Sequence, residues 1–462
     1  MTSRIMRIEL RRSAAAWIGL LMLVAGAGLL LVLLESFAGR WTQLAFAARS
    51  MLIVLLPLAL AGGAWLGRRD ARSRVGELFA STVRPRWQRV LPSAMAFAIT
   101  IVSAYVLMLV VGAAWVVPTA GYYPLAAVGI AGVGALSLVA GGWLGLAAGR
   151  AVPRLVTAPA LAVLGFLVVV LLPDWLTVRT GDAGDAPGAV LLSPTYPGGF
   201  DDFQTLPARV NLAQALWLAA LAATGLLLSM LGRRTVALAV LPAVAGAAVT
   251  VPLMPTGGYG AASVFDREAM ELVCDDDGPR VCMTRVHAGL LPDVIGPARQ
   301  ALTRLAAKLP DDAPVEAAES RQPTWWVLRA PAATRQPADT LVFAAPPIGS
   351  TGRADLSDAS LLLAMVEAAW SQECDENPAG IIGFPESTSD PAIRLAAAWV
   401  LDQPLVPHDW WDPALREQMD QAYRMLIALP AQEQARRMST ARQAALDCQP
   451  DPLASLMLGQ TP

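Results

Sequence analysis

Lysine is almost absent from this chain: Lys308 is the only one in 462 residues, and it follows Ala307. A P-loop needs a Gly-Lys-Ser/Thr step, because the lysine reaches the nucleotide phosphates, so this polypeptide contains no P-loop. Any ATP it depends on is hydrolysed on another chain. Histidine is nearly as scarce. His287 and His408 lack the HExxH spacing of a zinc peptidase, and Glu367, in Met365-Val-Glu-Ala-Ala-Trp370, has no flanking histidine. No Gly-x-Ser-x-Gly nucleophile turn is present. The chain therefore reads as a non-enzyme, with no catalytic, cofactor or metal residues to name. Charge is also thin, at 16% of residues against 55% hydrophobic, which is too apolar for an ordinary soluble protein.

Long charge-free runs explain that balance. Crossing about 30 Å of hydrocarbon takes roughly 20 apolar residues in a helix, because lipid offers unpaired backbone groups no partner. Seven runs qualify, at about 13–34, 50–67, 91–117, 124–149, 155–173, 210–232 and 235–254. The third and fourth share a 60-residue stretch without charge, residues 90–149, turning at Pro118-Thr-Ala-Gly-Tyr-Tyr-Pro124. None of the seven contains Asp, Glu, Lys, Arg or His, so the intramembrane relay of a proton-coupled carrier is missing. Arg49 falls just outside the second run, in a loop.

Charge and cysteine give the chain two halves. Residues 1–254 carry 19 Arg against 9 Asp/Glu, while residues 255–462 carry 15 Arg, one Lys and 28 Asp/Glu. With the N-terminus inside, alternate loops hold 15 arginines on the cytoplasmic side and four outside (Arg40, Arg49, Arg179, Arg209), as basic residues in short loops require. An odd number of spans then places residues 255–462 outside the plasma membrane. All four cysteines, Cys274, Cys282, Cys374 and Cys448, lie in that half, which suits an oxidising compartment. Their spacing fits no zinc knuckle. Eight residues of turn-forming sequence can bring Cys274 to Cys282, which leaves Cys374 to pair with Cys448 by elimination.

The expected architecture is thus an all-α polytopic membrane bundle over 1–254, followed by an α+β extracytoplasmic domain over 255–462. β-like runs at Val281–Val286, Thr324–Leu328 and Thr340–Ala344 alternate there with helix starts at Asp390-Pro391 and Asp412-Pro413, where an N-cap precedes a proline in the first turn. In the bundle, Gly141, Gly145 and Gly149 form a smooth strip that lets helices approach closely, either within one subunit or across a dimer. Thr100, Ser103, Tyr105, Asn211 and Gln214 either bond between helices or line a path.

The most informative segment is the loop 68–89. On a helix, Ala71, Val75, Leu78, Phe79 and Thr82 share one face while Arg72, Arg74 and Glu77 occupy the others, and Pro85 ends it. Such a helix lies on anionic lipid or docks a partner. The basic run with Gly76-Glu77-Leu78 and Thr82-Val-Arg84 resembles the first cytoplasmic loop of type-2-class ATP-binding-cassette (ABC) exporter permeases. The basic stretch Arg4–Arg12 and the loop 174–209 also sit where that family has them, so the resemblance covers about 235 residues. The opening of the last domain, Val273 to Cys282, is similar to extracellular modules on actinobacterial permeases, and the preference for Arg over Lys fits a GC-rich genome.

The resemblance implies a permease subunit coupled to a separate ABC ATPase through Arg72, Arg74, Val75, Gly76, Glu77, Leu78 and Phe79, with ATP and Mg held on that partner and none on this chain. It implies a dimer or hetero-dimer of permease subunits in membrane lipid, and no nucleic acid. A seventh span departs from the six usual in the family. The competing reading is a membrane-anchored receptor or scaffold that presents an extracytoplasmic binding domain.

Overall fold

The computed structural model describes residues 14–69, 86–178, 188–195, 201–230, 236–257, 262–322, 336–371, 391–407, 411–448 and 457. The chain divides into two compact units, one of residues 1–118 and 123–266, the other of residues 119–122 and 267–462.

The first unit is a helical bundle. Apart from the single turn Leu34–Phe37, its described α-helices are α1 (Ala14–Val32), α2 (Trp41–Ser50), α3 (Leu52–Gly67), α4 (Arg86–Ala113), α5 (Leu125–Ala151), α6 (Thr157–Val178), α7 (Ala208–Met230) and α8 (Leu241–Thr250). Among the described residues α1, α4, α5 and α7 are each long and apolar enough to cross a membrane, and α2 with α3 forms a fifth candidate bent by 49°. Shorter apolar helices over Thr157–Pro173 and Ala237–Leu253 occupy the remaining two predicted runs. The last is short because it is interrupted: 3₁₀ turns at Val236–Val240 and Val251–Leu253 flank α8.

Helix α2 corrects the sequence reading. Trp-Thr-Gln-Leu-Ala-Phe-Ala-Ala-Arg-Ser is short and polar at its ends, so it reads as loop, yet it forms a helix whose residues Thr42 to Arg49 are all buried. The break at Met51 lies about a turn and a half before Pro57, whose ring cannot donate to the Ile53 carbonyl, so the start of α3 is already short of one helical bond.

Loop residues that read as solvent-facing also fold back. The 3₁₀ turn Gly188–Leu192 buries Val190 and Leu191, and a two-residue strand β1 (Gln204–Thr205) pairs antiparallel with β2 (Val264–Phe265). Leu191, Leu206, Met254 and Ala262 share an apolar cluster with Ala45 and Phe46 of α2, Ala127 and Ile130 of α5, and Val210 and Ala213 of α7. This packing carries the first unit to residue 266, twelve residues past the boundary read from composition.

The second unit is mixed. Its sheet has the order β3 (Leu272–Asp275), β4 (Val281–Thr284), β5 (Glu316–Glu319), β6 (Thr340–Phe343), antiparallel between β3 and β4 and parallel thereafter. Helix α9 (Leu291–Lys308) makes the crossover from β4 to β5, burying Val294, Ala298, Ala301, Leu302 and Leu305 on one stripe. Helices α10 (Asp358–Ala368), α11 (Pro391–Leu401), α12 (Pro413–Ile427) and α13 (Ala431–Leu446) complete it. One cluster joins Met283 and Phe343 of the sheet to Leu305, Val366, Trp399 and Leu426 of the helices. The expected strand at 324–328 lies outside the described residues.

Candidate functional site

Arg72, Arg74, Val75, Gly76, Glu77, Leu78 and Phe79 lie outside the described residues, so the structure bears on them only through the helices at either side. Helix α3 runs to Gly67 and α4 starts at Arg86. Arg68 is held where the segment begins: its guanidinium stacks over the Trp65 ring at 4.5 Å and donates to the Arg154 carbonyl at 3.3 Å. A small apolar cluster of Leu66, Val90, Ala94, Trp143, Leu146, Leu226 and Met230 joins α3, α4, α5 and α7 at this end of the bundle. The Trp143 indole donates to the Ala94 carbonyl at 3.0 Å.

The glycine strip meets α3 of the same chain. A Cβ on Gly145 would fall on the Leu60 carbonyl, and one on Gly149 on the Ala64 carbonyl. Reciprocally, Gly63 and Gly67 meet the Gly142 and Leu146 carbonyls. A Cβ on Gly141 would come within 2.6 Å of the Leu56 side chain. Backbone against backbone leaves no room for side chains, so α3 and α5 behave as one rigid pair.

The opposite end of the bundle holds a polar cluster that composition did not disclose. Arg49 is fully buried. Its Nε donates to the Pro194 carbonyl at 2.7 Å, and another guanidinium nitrogen donates to Gln214 Oε1 at 3.0 Å. The Gln214 amide in turn donates to the carbonyls of Leu191 at 2.7 Å and Ser193 at 3.4 Å. Arg40, at the N-cap of α2, pairs with Asp202 at 2.5 Å and donates to the Glu35 carbonyl at 2.7 Å. Thus Arg49, read as a loop residue, belongs to a buried helix. Its burial needs contacts supplied by residues 145 and 165 positions away, which no local pattern reveals.

The other polar residues of the bundle divide. Gln214 makes the interhelical bond just described, whereas Asn211 bonds near its own position, to the Leu206 carbonyl at 3.4 Å. Thr100 bonds the Ala96 carbonyl of its own helix. The Tyr105 hydroxyl is buried against Gly134, with no hydrogen-bond partner among the described residues.

In the second unit Cys274 and Cys282 face each other across β3 and β4 and form a disulfide. Cys448 is disulfide-bonded as well, and Cys374, its expected partner, lies outside the described residues. His287 Nδ1 contacts Glu319 Oε1 at 2.6 Å, while the Thr284 backbone N–H and hydroxyl donate to Oε2 at 2.8 and 2.9 Å. His287 and Glu319 are both buried, so this cluster fastens the end of β4 to β5 rather than presenting an open base. Glu367 pairs with Arg394 at 3.7 Å, and burial raises its carboxyl above the ordinary value despite that arginine. Among the described residues no group of three or more His, Cys, Asp or Glu could hold a metal; His408 lies outside them. An open depression of about 380 Å³ is lined in part by Asp293, Arg353 and Asp358, but Asp293 is committed to Arg353 and to the Ala354 N–H.

No protein-family model, curated protein or solved structure matches the chain.

Proposed function

We propose that the chain is the membrane-spanning permease subunit of an ABC exporter, with seven spans, the segment 68–85 in the cytoplasm and the second unit outside the plasma membrane. The observation that carries this reading is the basic amphipathic segment itself, with Gly76-Glu77-Leu78 at its centre, continuing directly from α3. The packing of α3 supports it. Because α3 and α5 are locked backbone to backbone, a push on residues 71–82 moves two helices together instead of dissipating in side-chain rearrangement. Charge supports the orientation: Arg68, Arg69, Arg86, Arg89, Arg150 and Arg154 gather at the end of the bundle that carries this segment. Residues 264–266, where the first unit ends, pair with β1 and Phe203 at the other end.

In this reading a separate ATPase holds ATP and Mg, and two permease subunits, identical or related, complete the transporter. Replacing Phe79 with Asp tests it. A charge forced into an apolar groove costs more than the lost burial of one aromatic, which is about 1.5–3 kcal/mol. The variant should insert normally while an ATPase that co-purifies with the native chain is lost. Retention of the ATPase, or its absence from the native preparation, would instead favour the anchored receptor. That second reading draws on one observation, the separate core of the second unit.

A further inference from the structure

Arg68 is a charge with little around it to answer that charge. Only 9% of the residue is exposed, yet among the described residues it meets no carboxylate: its guanidinium lies over the Trp65 ring at 4.5 Å and gives one bond, at 3.3 Å, to the Arg154 carbonyl. Asp70 and Glu77 are the only acidic residues between positions 36 and 173, and both lie outside the described residues. A buried guanidinium ordinarily meets an anion, because burial removes the water that would otherwise solvate it. None of its nitrogens is both sealed from solvent and unbonded, so the N–H groups not given to Arg154 reach the surface. The position is fixed by backbone packing: a Cβ on Gly67 would fall on the Leu146 carbonyl and lie within 3.0 Å of the Arg150 backbone nitrogen, so the last turns of α3 and α5 leave Arg68 little freedom.

We infer that Arg68, Trp65 and the turn 152–156 with Arg154 form a binding site for the phosphodiester of one anionic phospholipid, at the end of the bundle that carries residues 68–85. The turn leads from α5 into α6 and is closed by Thr157, whose N–H and hydroxyl donate to the carbonyls of Arg154 at 3.3 Å and Val152 at 2.6 Å. It exposes Val152, Leu155 and Val156 together with Arg154, and Trp65 is exposed beside Arg68. Arg154, like Arg68, meets no carboxylate among the described residues. Aliphatic and indole groups around a guanidinium at the end of a span suit the bilayer interface, where the apolar groups sit among acyl chains and the charge faces phosphate. Helix α6, which starts at this turn, exposes Val163, Leu164, Leu167 and Leu171, so the site stands at the head of a helix that lipid covers. A soluble anion would leave Leu155, Val156 and Trp65 in water, which favours lipid over free phosphate. The inference rests on the helices crossing a membrane and not on the exporter reading.

Native mass spectrometry of the full chain in dodecyl maltoside, titrated with dioleoyl phosphatidylglycerol or dioleoyl phosphatidylcholine, counts the bound lipid. The parent chain should hold one phosphatidylglycerol in preference to phosphatidylcholine. Arg68→Ala should weaken that lipid by about tenfold or more, the loss of a charge-assisted bond. Arg68→Lys keeps the charge but not the stacked planar fork, and should recover only part of the affinity. Arg154→Ala, in an exposed turn, should weaken the same lipid by about fivefold, as removal of one interfacial charge does, and it keeps the test open should Arg68→Ala fold poorly. Arg86→Ala removes another exposed arginine near the same masked-free helix start of α4 and should leave the bound lipid in place. Equal losses in Arg86→Ala and Arg68→Ala would overturn the inference by reducing it to a diffuse attraction. So would unchanged affinity in both Arg68→Ala and Arg154→Ala, or displacement of the lipid by millimolar inorganic phosphate, which would assign the arginines to a free anion. Failure of the exporter reading would appear separately, in the ATPase co-purification, because this titration contains no ATPase.

Discussion

A glycine in a membrane helix matters through what stands where its Cβ would be. Gly145 faces the Leu60 carbonyl, which cannot turn aside without breaking α3, whereas Gly132 on the same helix faces nothing within 4 Å. Gly145→Leu should therefore destabilise the first unit by about 3 kcal/mol or more, at or beyond the top of the usual range for overpacking. Gly132→Ala should be neutral or stabilise by up to about 1 kcal/mol, as helical Gly→Ala substitution does. Thermal unfolding of the purified chain in detergent separates the two, and equal effects would mean that the strip does not face α3. Buried charge makes the second residue-scale case. Burial raises the Glu367 carboxyl above 4.5, so the folded state holds that proton more tightly than the unfolded chain does. Stability from this group is then highest at low pH and declines as pH climbs from about 4.5 through the raised value. Glu367→Gln should flatten that decline and leave stability at neutral pH equal or higher. A steeper decline in the variant would show that the Arg394 pair outweighs burial.

Elements follow local sequence where their signals are local. Asp412 caps α12 by accepting from the Leu415 N–H at 2.8 Å, with Pro413 in the first turn, as the Asp-Pro pair predicts. Asp412→Ala should cost the second unit about 1 kcal/mol, and Asp412→Asn should recover most of it, measured by chemical denaturation. β5 is the opposite case. Glu-Ala-Ala-Glu has helical propensity and nothing of a strand, yet it lies between β4 and β6, paired parallel to both, with Ala317 fully buried. Small side chains suit the middle of that sheet, where α9 packs on β4 and β5. Helix α2 escaped for a similar reason: ten residues with Arg at position 49 give no membrane pattern, and the charge is held inside by distant partners that include Pro194 and Gln214.

At the scale of the molecule, two units with separate cores should unfold separately. The Cys274–Cys282 disulfide lies wholly within the second, so reductant should lower one transition and leave the other in place. Replacing both of these cysteines by alanine should cost the second unit about 2–3 kcal/mol, the usual effect of opening a short loop. A single cooperative transition, or a shift of both on reduction, would show that the units are thermodynamically one. The exporter reading also belongs to this scale, because it needs a partner to act on residues 71–82 and a rigid α3–α5 pair to carry the effect.

The sequence by itself determined that this chain has helices long and apolar enough to cross a membrane, that its charge is asymmetric, and that Cys274 is placed to meet Cys282. Those properties depend on hydrophobic length, short-range turns and composition, which are written contiguously. Only the tertiary structure decided that Arg49 is buried, that Leu191 and Leu206 pack onto the bundle, that the glycine strip meets α3 of the same chain, and that Glu-Ala-Ala-Glu is a strand. Each of these is settled by a partner many positions away, and a pairing between distant segments leaves no period in either segment alone.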